Sequence, residues 1–183
     1  MNPTLKSLLG FVGRVTVVHV VTYFVFGILS VLIVPGGHMM YALPEMDVYF
    51  RPISSPYVMA GTLFQVIRGP ILALGIFPFR QIFLQDRWGW FHLWGLFLTL
   101  AILAPAGAAP GSIEGYVYTQ LPLWFHITYL PDIVLQTLAF SGLVFLWERR
   151  REKIIAIPLL VLFVVIVGLM SFSLFTNYFT AGT

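Results

Sequence analysis

The sequence predicts an all-α integral membrane protein, a bundle of about five transmembrane helices with the N-terminus in the cytoplasm and the C-terminus on the opposite side. Three observations carry this. Hydrophobic residues make up 59% of the 183 positions and charged residues only 9%, against about one-quarter charged in a soluble domain. The apolar residues gather into stretches close to the roughly 20 residues that cross about 30 Å of hydrocarbon as a helix. Lysine and arginine are concentrated in alternate connections, as orientation in a membrane requires.

The first stretch runs from about Val12 to Val34 and is stopped by Pro35, Gly36 and Gly37. It is longer than the apolar region of a signal peptide and no A-x-A pattern follows, so it is expected to stay in the mature chain. The second, about Tyr57 to Phe77, is preceded by Ser54, Ser55 and Pro56. The third, about Gly89 to Ala106, fades into a Pro/Gly/Ala segment before Ser112. The fourth, about Leu121 to Trp147, contains Pro131. Proline suits the first turn of a helix, so an alternative start at Pro131 would leave Leu121 to Leu130 as an interfacial segment. The fifth, about Ile154 to Tyr178, is the least polar. No polar block separates these stretches and no internal repeat relates them, so residues 1–183 read as one membrane domain.

Placing the N-terminus inside puts Lys6, Arg14, Arg80, Arg87, Arg149, Arg150, Arg151 and Lys153 on the cytoplasmic side, with Arg51 outside. Glu45, Asp47 and Glu114 then fall outside. Trp88, Trp90 and Trp147 flank the inner interface, and Tyr41, Tyr49, Tyr57, Tyr116 and Tyr118 the outer one. The aromatic-rich segments His38 to Pro56 and Ser112 to Leu121 are expected to lie along the outer surface, the second opening with an N-cap-like serine. Phe79 to Trp90 suits a short inner interfacial helix or turn.

Several chemistries have no foothold. The chain lacks cysteine, which removes disulfides, thiolate metal sites and a cysteine nucleophile. HExxH, GxSxG, phosphate-loop and dinucleotide-turn motifs are missing. Asp132 is the single carboxylate inside a span, whereas an intramembrane aspartyl mechanism needs two. The four histidines, His19, His38, His92 and His126, make no pair at matched depth for a haem. His38 with Met39, Met40 and Met46 offers a soft ligand set of the kind copper takes, but interfacial methionines more often bury apolar surface. No cofactor or metal is expected. The net charge of +3 sits in short loops beside apolar runs, so it reports orientation and no nucleic-acid partner. The run from Glu148 to Lys153 reads as a topology determinant whose cations would also attract anionic headgroups.

The polar residues inside the spans are the candidate site. Arg68 lies near the middle of the second stretch, where an uncompensated charge costs about 2.5–3.5 kcal/mol on the insertion scale. Gln65 is at i−3, with Gly61 and Gly69 on the same stripe. Asp132 and Gln136 are spaced i, i+4 in the fourth stretch and share a face. Counting inward from the outer ends puts Arg68 and Asp132 at similar depth, which predicts one cluster of Arg68, Gln65, Asp132 and Gln136, with Arg68 and Asp132 paired. Such a pair either fixes helix register or leaves Arg68 to bind an anion. Glu114 is the alternative partner for Arg68; His126 and His38 are further outer-face candidates.

Three function classes follow. The first is a non-enzymatic accessory or scaffold subunit of a membrane assembly, working with a membrane-protein partner or a second copy in the cell membrane. The second is binding or transport of a small anionic solute or lipid headgroup around Arg68. The third is an interfacial enzyme acting on a lipid-linked substrate, with Glu114, Asp132 or His126 as acid or base. The residues alone do not choose a molecular activity.

Overall fold

The structure is a computed structural model that describes residues 3–33, 48, 50–51, 55–104, 107–150 and 153–180. Among them every regular element is helical: α1 (Pro3–Ile33), α2 (Pro56–Ile76), a 3-10 turn (Phe77–Phe79), α3 (Arg80–Leu84), α4 (Gly89–Leu103), α5 (Ile113–Tyr118), α6 (Leu123–Arg150) and α7 (Lys153–Thr180). Four helical segments are long and apolar enough to cross a membrane: Leu5–Leu32, Pro56–Leu84, Leu123–Arg150 and Lys153–Thr176.

The third expected span is the exception. α4 has 15 residues, about 22 Å of helix, short of the roughly 30 Å a bilayer core requires. Its end has a local cause. Ala104 takes a left-handed conformation (φ 43°) and its N–H bonds back to the Leu100 carbonyl, while the proline that follows disfavours further α-helix at the residue before it. The chain nonetheless passes from one end of the bundle to the other here. Leu84 and Gln85 share a cavity with Ser7 and Glu148, whereas Gly111 lies against Tyr129 and Ile133 near the opposite end of α6.

The alternative helix start at Pro131 is corrected by α6, which runs unbroken from Leu123 through that proline to Arg150. The ring removes one backbone donor, leaving the Ile127 carbonyl without its i+4 partner, yet the helix persists on both sides. Ser112 caps α5: its hydroxyl accepts the Gly115 N–H at 2.8 Å and donates to the Ala109 carbonyl at 2.6 Å. Most of the expected surface segment from His38 to Pro56 lies outside the described residues.

α1 is the centre of the bundle, packed by α2, α6 and α7. Every residue from Val15 to Thr22 is buried, and about two consecutive turns covered on all sides require neighbours all round. Phe140, Val144 and Trp147 of α6, Ala73 and Ile76 of α2, and Leu159 and Ile166 of α7 complete this core. α4 joins through α6, where the Trp94 indole N–H donates to the Val134 carbonyl at 3.3 Å and Phe97 meets Phe140 edge-on at 5.2 Å. The least polar helix, α7, is the least buried of the four long segments, presenting Ile157, Leu160, Val161, Val164 and Phe172 outward. The outward face of α7 is apolar, while Thr16, His19, Thr22 and Gln65 are buried among the apolar side chains of the core.

Three contacts set the axial register. Gly69 of α2 meets α1 so closely that a Cβ on it would stand 2.6 Å from Thr16 Cα. His19 bonds Gln65 at 3.0 Å. Arg14 pairs with Glu148 at 2.6 Å.

Candidate functional site

Asp132 and Gln136 face the same cleft, as their i, i+4 spacing predicts, and the cleft is bounded by α1, α2 and α6. Its volume is about 570 Å³, within the range of small-molecule sites. Phe24, Ile28, Val31, Val58 and Ile133 make its walls apolar, and Tyr23, Ser30, Thr62 and Tyr129 add hydroxyl groups. Asp132 and Gln136 are half-buried. Among the described residues no lysine, arginine or histidine forms an ion pair with Asp132. A carboxylate on an apolar wall is costly unless a donor or cation meets it.

The inner limit of the cleft is a buried hydrogen-bonded pair. The Gln65 amide nitrogen donates to the Gly61 carbonyl at 2.9 Å. Its oxygen is thereby turned to His19 Nε2, which donates to it at 3.0 Å. Tyr23 and Gly61 belong to both features, since each also lines the cleft; the Tyr23 ring lies 6.2 Å from the His19 ring, and Phe140 presents its edge at 5.9 Å. Thr16 and Thr22 return their hydroxyls to carbonyls of their own helix at 2.8 Å. The pair therefore satisfies two polar side chains inside an otherwise apolar contact of α1 with α2, which fixes how these helices slide and rotate against one another.

The expected four-residue cluster is divided by this arrangement. Gln65 turns to His19, Asp132 and Gln136 turn to the cleft, and Arg68 is exposed on α2 and lines no part of the cleft. Arg68 and Asp132 also stand at different levels. Arg68 is one residue from Gly69, beside Thr16, whereas Asp132 lies 16 residues before Glu148, beside Arg14. At 1.5 Å per residue these offsets separate the two levels by about 20 Å. The depth match fails although both helices start close to the expected outer ends, at Pro56 and Leu123: registered on α1 through Gly69 and Glu148, those two ends are not level, and α6 reaches further outward than α2.

The other candidates have different surroundings. His126 is buried, and its Nδ1 accepts the N–H of Gly111 at 3.1 Å; the left-handed φ of 81° at Gly111 aims that N–H at the ring. A neutral imidazole with Nδ1 accepting carries its proton on Nε2, and this Nε2–H has no hydrogen-bond partner among the described residues. His126 ties the segment before α5 to α6. Glu114 is half-buried in the first turn of α5, where a carboxylate is favoured at a helix N-terminus. His92 is exposed on α4. His38, with the methionines beside it, lies outside the described residues, and among those described no group of three His, Asp or Glu side chains is placed to hold a metal.

Two polar links escaped the sequence reading: His19–Gln65 and Arg14–Glu148. Arg14 and Glu148 are each the polar residue nearest the end of a long apolar run, so their meeting had a local signal. His19 and Gln65 had none, being 46 positions apart with helix ends too uncertain to align them. Comparison of the chain with protein-family models, curated proteins and solved structures returns no significant match.

Proposed function

We propose that this is a multi-pass membrane protein that binds a small amphipathic cation in the cleft between α1, α2 and α6. The observation that carries this reading is Asp132 beside Gln136 on the wall of an apolar cleft, with no cationic side chain paired to it. An organic cation would place its charge against Asp132, accept or donate at Gln136, and bury its apolar body against Phe24, Ile28 and Val31. The carboxylate argues for a cation over the anionic solute that Arg68 suggested, since Arg68 is exposed away from the cleft.

In this reading the chain crosses the bilayer five times, α4 and the segment after it making the short crossing, with the N-terminus cytoplasmic and the C-terminus outside. Arg14, Arg80 and Arg149 gather at one end of the bundle, as the positive-inside rule asks of a cytoplasmic end. The cleft then opens in the outer half.

Titrating the purified protein in a neutral detergent with tetraphenylphosphonium tests the reading. The wild-type chain should bind it saturably, and Asp132→Asn should weaken binding at least about tenfold, the loss of one charge-assisted contact. Equal binding by both proteins would remove Asp132 from the site and the proposal with it.

A second reading, an accessory subunit of a larger assembly, draws on α7, whose outward face offers a long apolar surface to partner helices as well as to lipid. A stoichiometric partner retained through gentle detergent extraction would favour it.

A further inference from the structure

A second cavity, of about 410 Å³, lies at the opposite end of the bundle from the cleft and is bordered by Ser7, Arg80, Leu84, Gln85, Glu148 and Arg149. Its charges are unequal. The Glu148 carboxylate is taken by Arg14, whose Nε and terminal nitrogen approach the same oxygen at 2.7 and 2.6 Å. Arg80 and Arg149 form no ion pair with a carboxylate among the described residues. Each is held in place by an aromatic face: the Arg80 guanidinium sits 4.3 Å from the centre of the Phe77 ring, and that of Arg149 sits 5.1 Å from the centre of the Phe145 ring. Arg80 also reaches across from α3 to α1 and donates to the Ser7 hydroxyl at 3.1 Å. Two guanidinium groups from different helices thus border one polar cavity, with a hydroxyl and the Gln85 amide beside them.

We infer that this cavity binds a phosphate group. A guanidinium offers several N–H donors in a plane, the arrangement that matches phosphate oxygens in pairs, and two of them with Ser7 and Gln85 supply more donors than one tetrahedral anion can use. Neutralising Glu148 through Arg14 is part of the site, because a free carboxylate there would repel the ligand. The phosphate has two possible sources. An anionic phospholipid would lay its chains along the exposed apolar side chains at this end, Leu5, Phe79 and Ile82; a soluble phosphate compound would enter from water.

The test uses the full chain in a neutral detergent and reads its thermal unfolding midpoint. Phosphatidylglycerol added in mixed micelles should raise the midpoint where equal phosphatidylcholine does not. Arg80→Gln and Arg149→Gln should each need about tenfold more phosphatidylglycerol for the same shift. If inorganic phosphate raises the midpoint as much, and the same substitutions blunt that response, the site stands with a soluble ligand. Arg149 is exposed, so its variant keeps the test open should Arg80→Gln prove poorly folded. The inference is overturned if neither phosphatidylglycerol nor phosphate shifts the wild-type midpoint, or if Arg149→Gln responds as the wild type does.

Discussion

His19 and Gln65 are joined by a buried hydrogen bond of 3.0 Å between α1 and α2, with the Gln65 amide nitrogen held by Gly61 at 2.9 Å. Each side chain is the other's means of being buried. Replacing one leaves the other's polar atom without a partner, at about 1–3 kcal/mol, whereas replacing both with apolar groups of similar shape removes the need. His19→Leu and Gln65→Leu should each lower resistance to unfolding in detergent, and the double substitution should cost less than the sum. Strict additivity would show that the two side chains do not depend on one another.

Gly69 and Gly61 are on one stripe of α2, but only Gly69 is in close contact. A methyl at Gly69 would stand 2.6 Å from Thr16 Cα, a backbone atom that no change of rotamer can move, while a methyl at Gly61 meets nothing within 4 Å. Gly69→Ala should therefore destabilise by about 1–3 kcal/mol, and trimming Thr16 to Ala should not restore the loss. Gly61→Ala should leave the unfolding midpoint close to that of the wild type.

The Arg14–Glu148 pair couples α1 to the end of α6, with both side chains about one-fifth exposed. Partial access to solvent keeps such a pair modest, about 1 kcal/mol of coupling in a double-mutant cycle. Raising the salt concentration should shrink that coupling. A cycle that shows none, at low salt, would mean the pair does not hold the two helices.

Arg68 and Asp132 should behave as independent sites. Their levels differ by about 20 Å, and side chains that far apart without shared partners add within about 0.5 kcal/mol. Arg68→Gln combined with Asp132→Asn should give the sum of the single effects on unfolding. Coupling above that limit would restore the ion pair expected from the apolar limits alone.

The chain has no cysteine, so every introduced cysteine is a unique label. Cysteine at Glu114 should react with a membrane-impermeant reagent from outside intact cells, and cysteine at Gln85 only after the membrane is opened. Reaction of Gln85→Cys in intact cells would reverse the proposed orientation.

The helical segments, the capping of α5 by Ser112 and the common face of Asp132 and Gln136 were legible in the residues, because hydropathy, capping and i, i+4 spacing act over a few positions. The early end of α4 was nearly so: Pro105 stood in the apolar stretch that was read through to Ala106. Lateral and axial relations were not. That α1 is enclosed and α7 exposed does not follow from apolar content, since both are apolar enough to cross a membrane. Residues taken to share a depth, Arg68 and Asp132, were separated by contacts that no apolar limit encodes: Gly69 against Thr16, His19 on Gln65, Arg14 on Glu148. Transfer from water into an apolar surrounding is nearly indifferent to a slide of several ångströms along a helix, so hydropathy leaves register open. Close packing and directional bonds between distant residues are sensitive to tenths of an ångström, and they choose it.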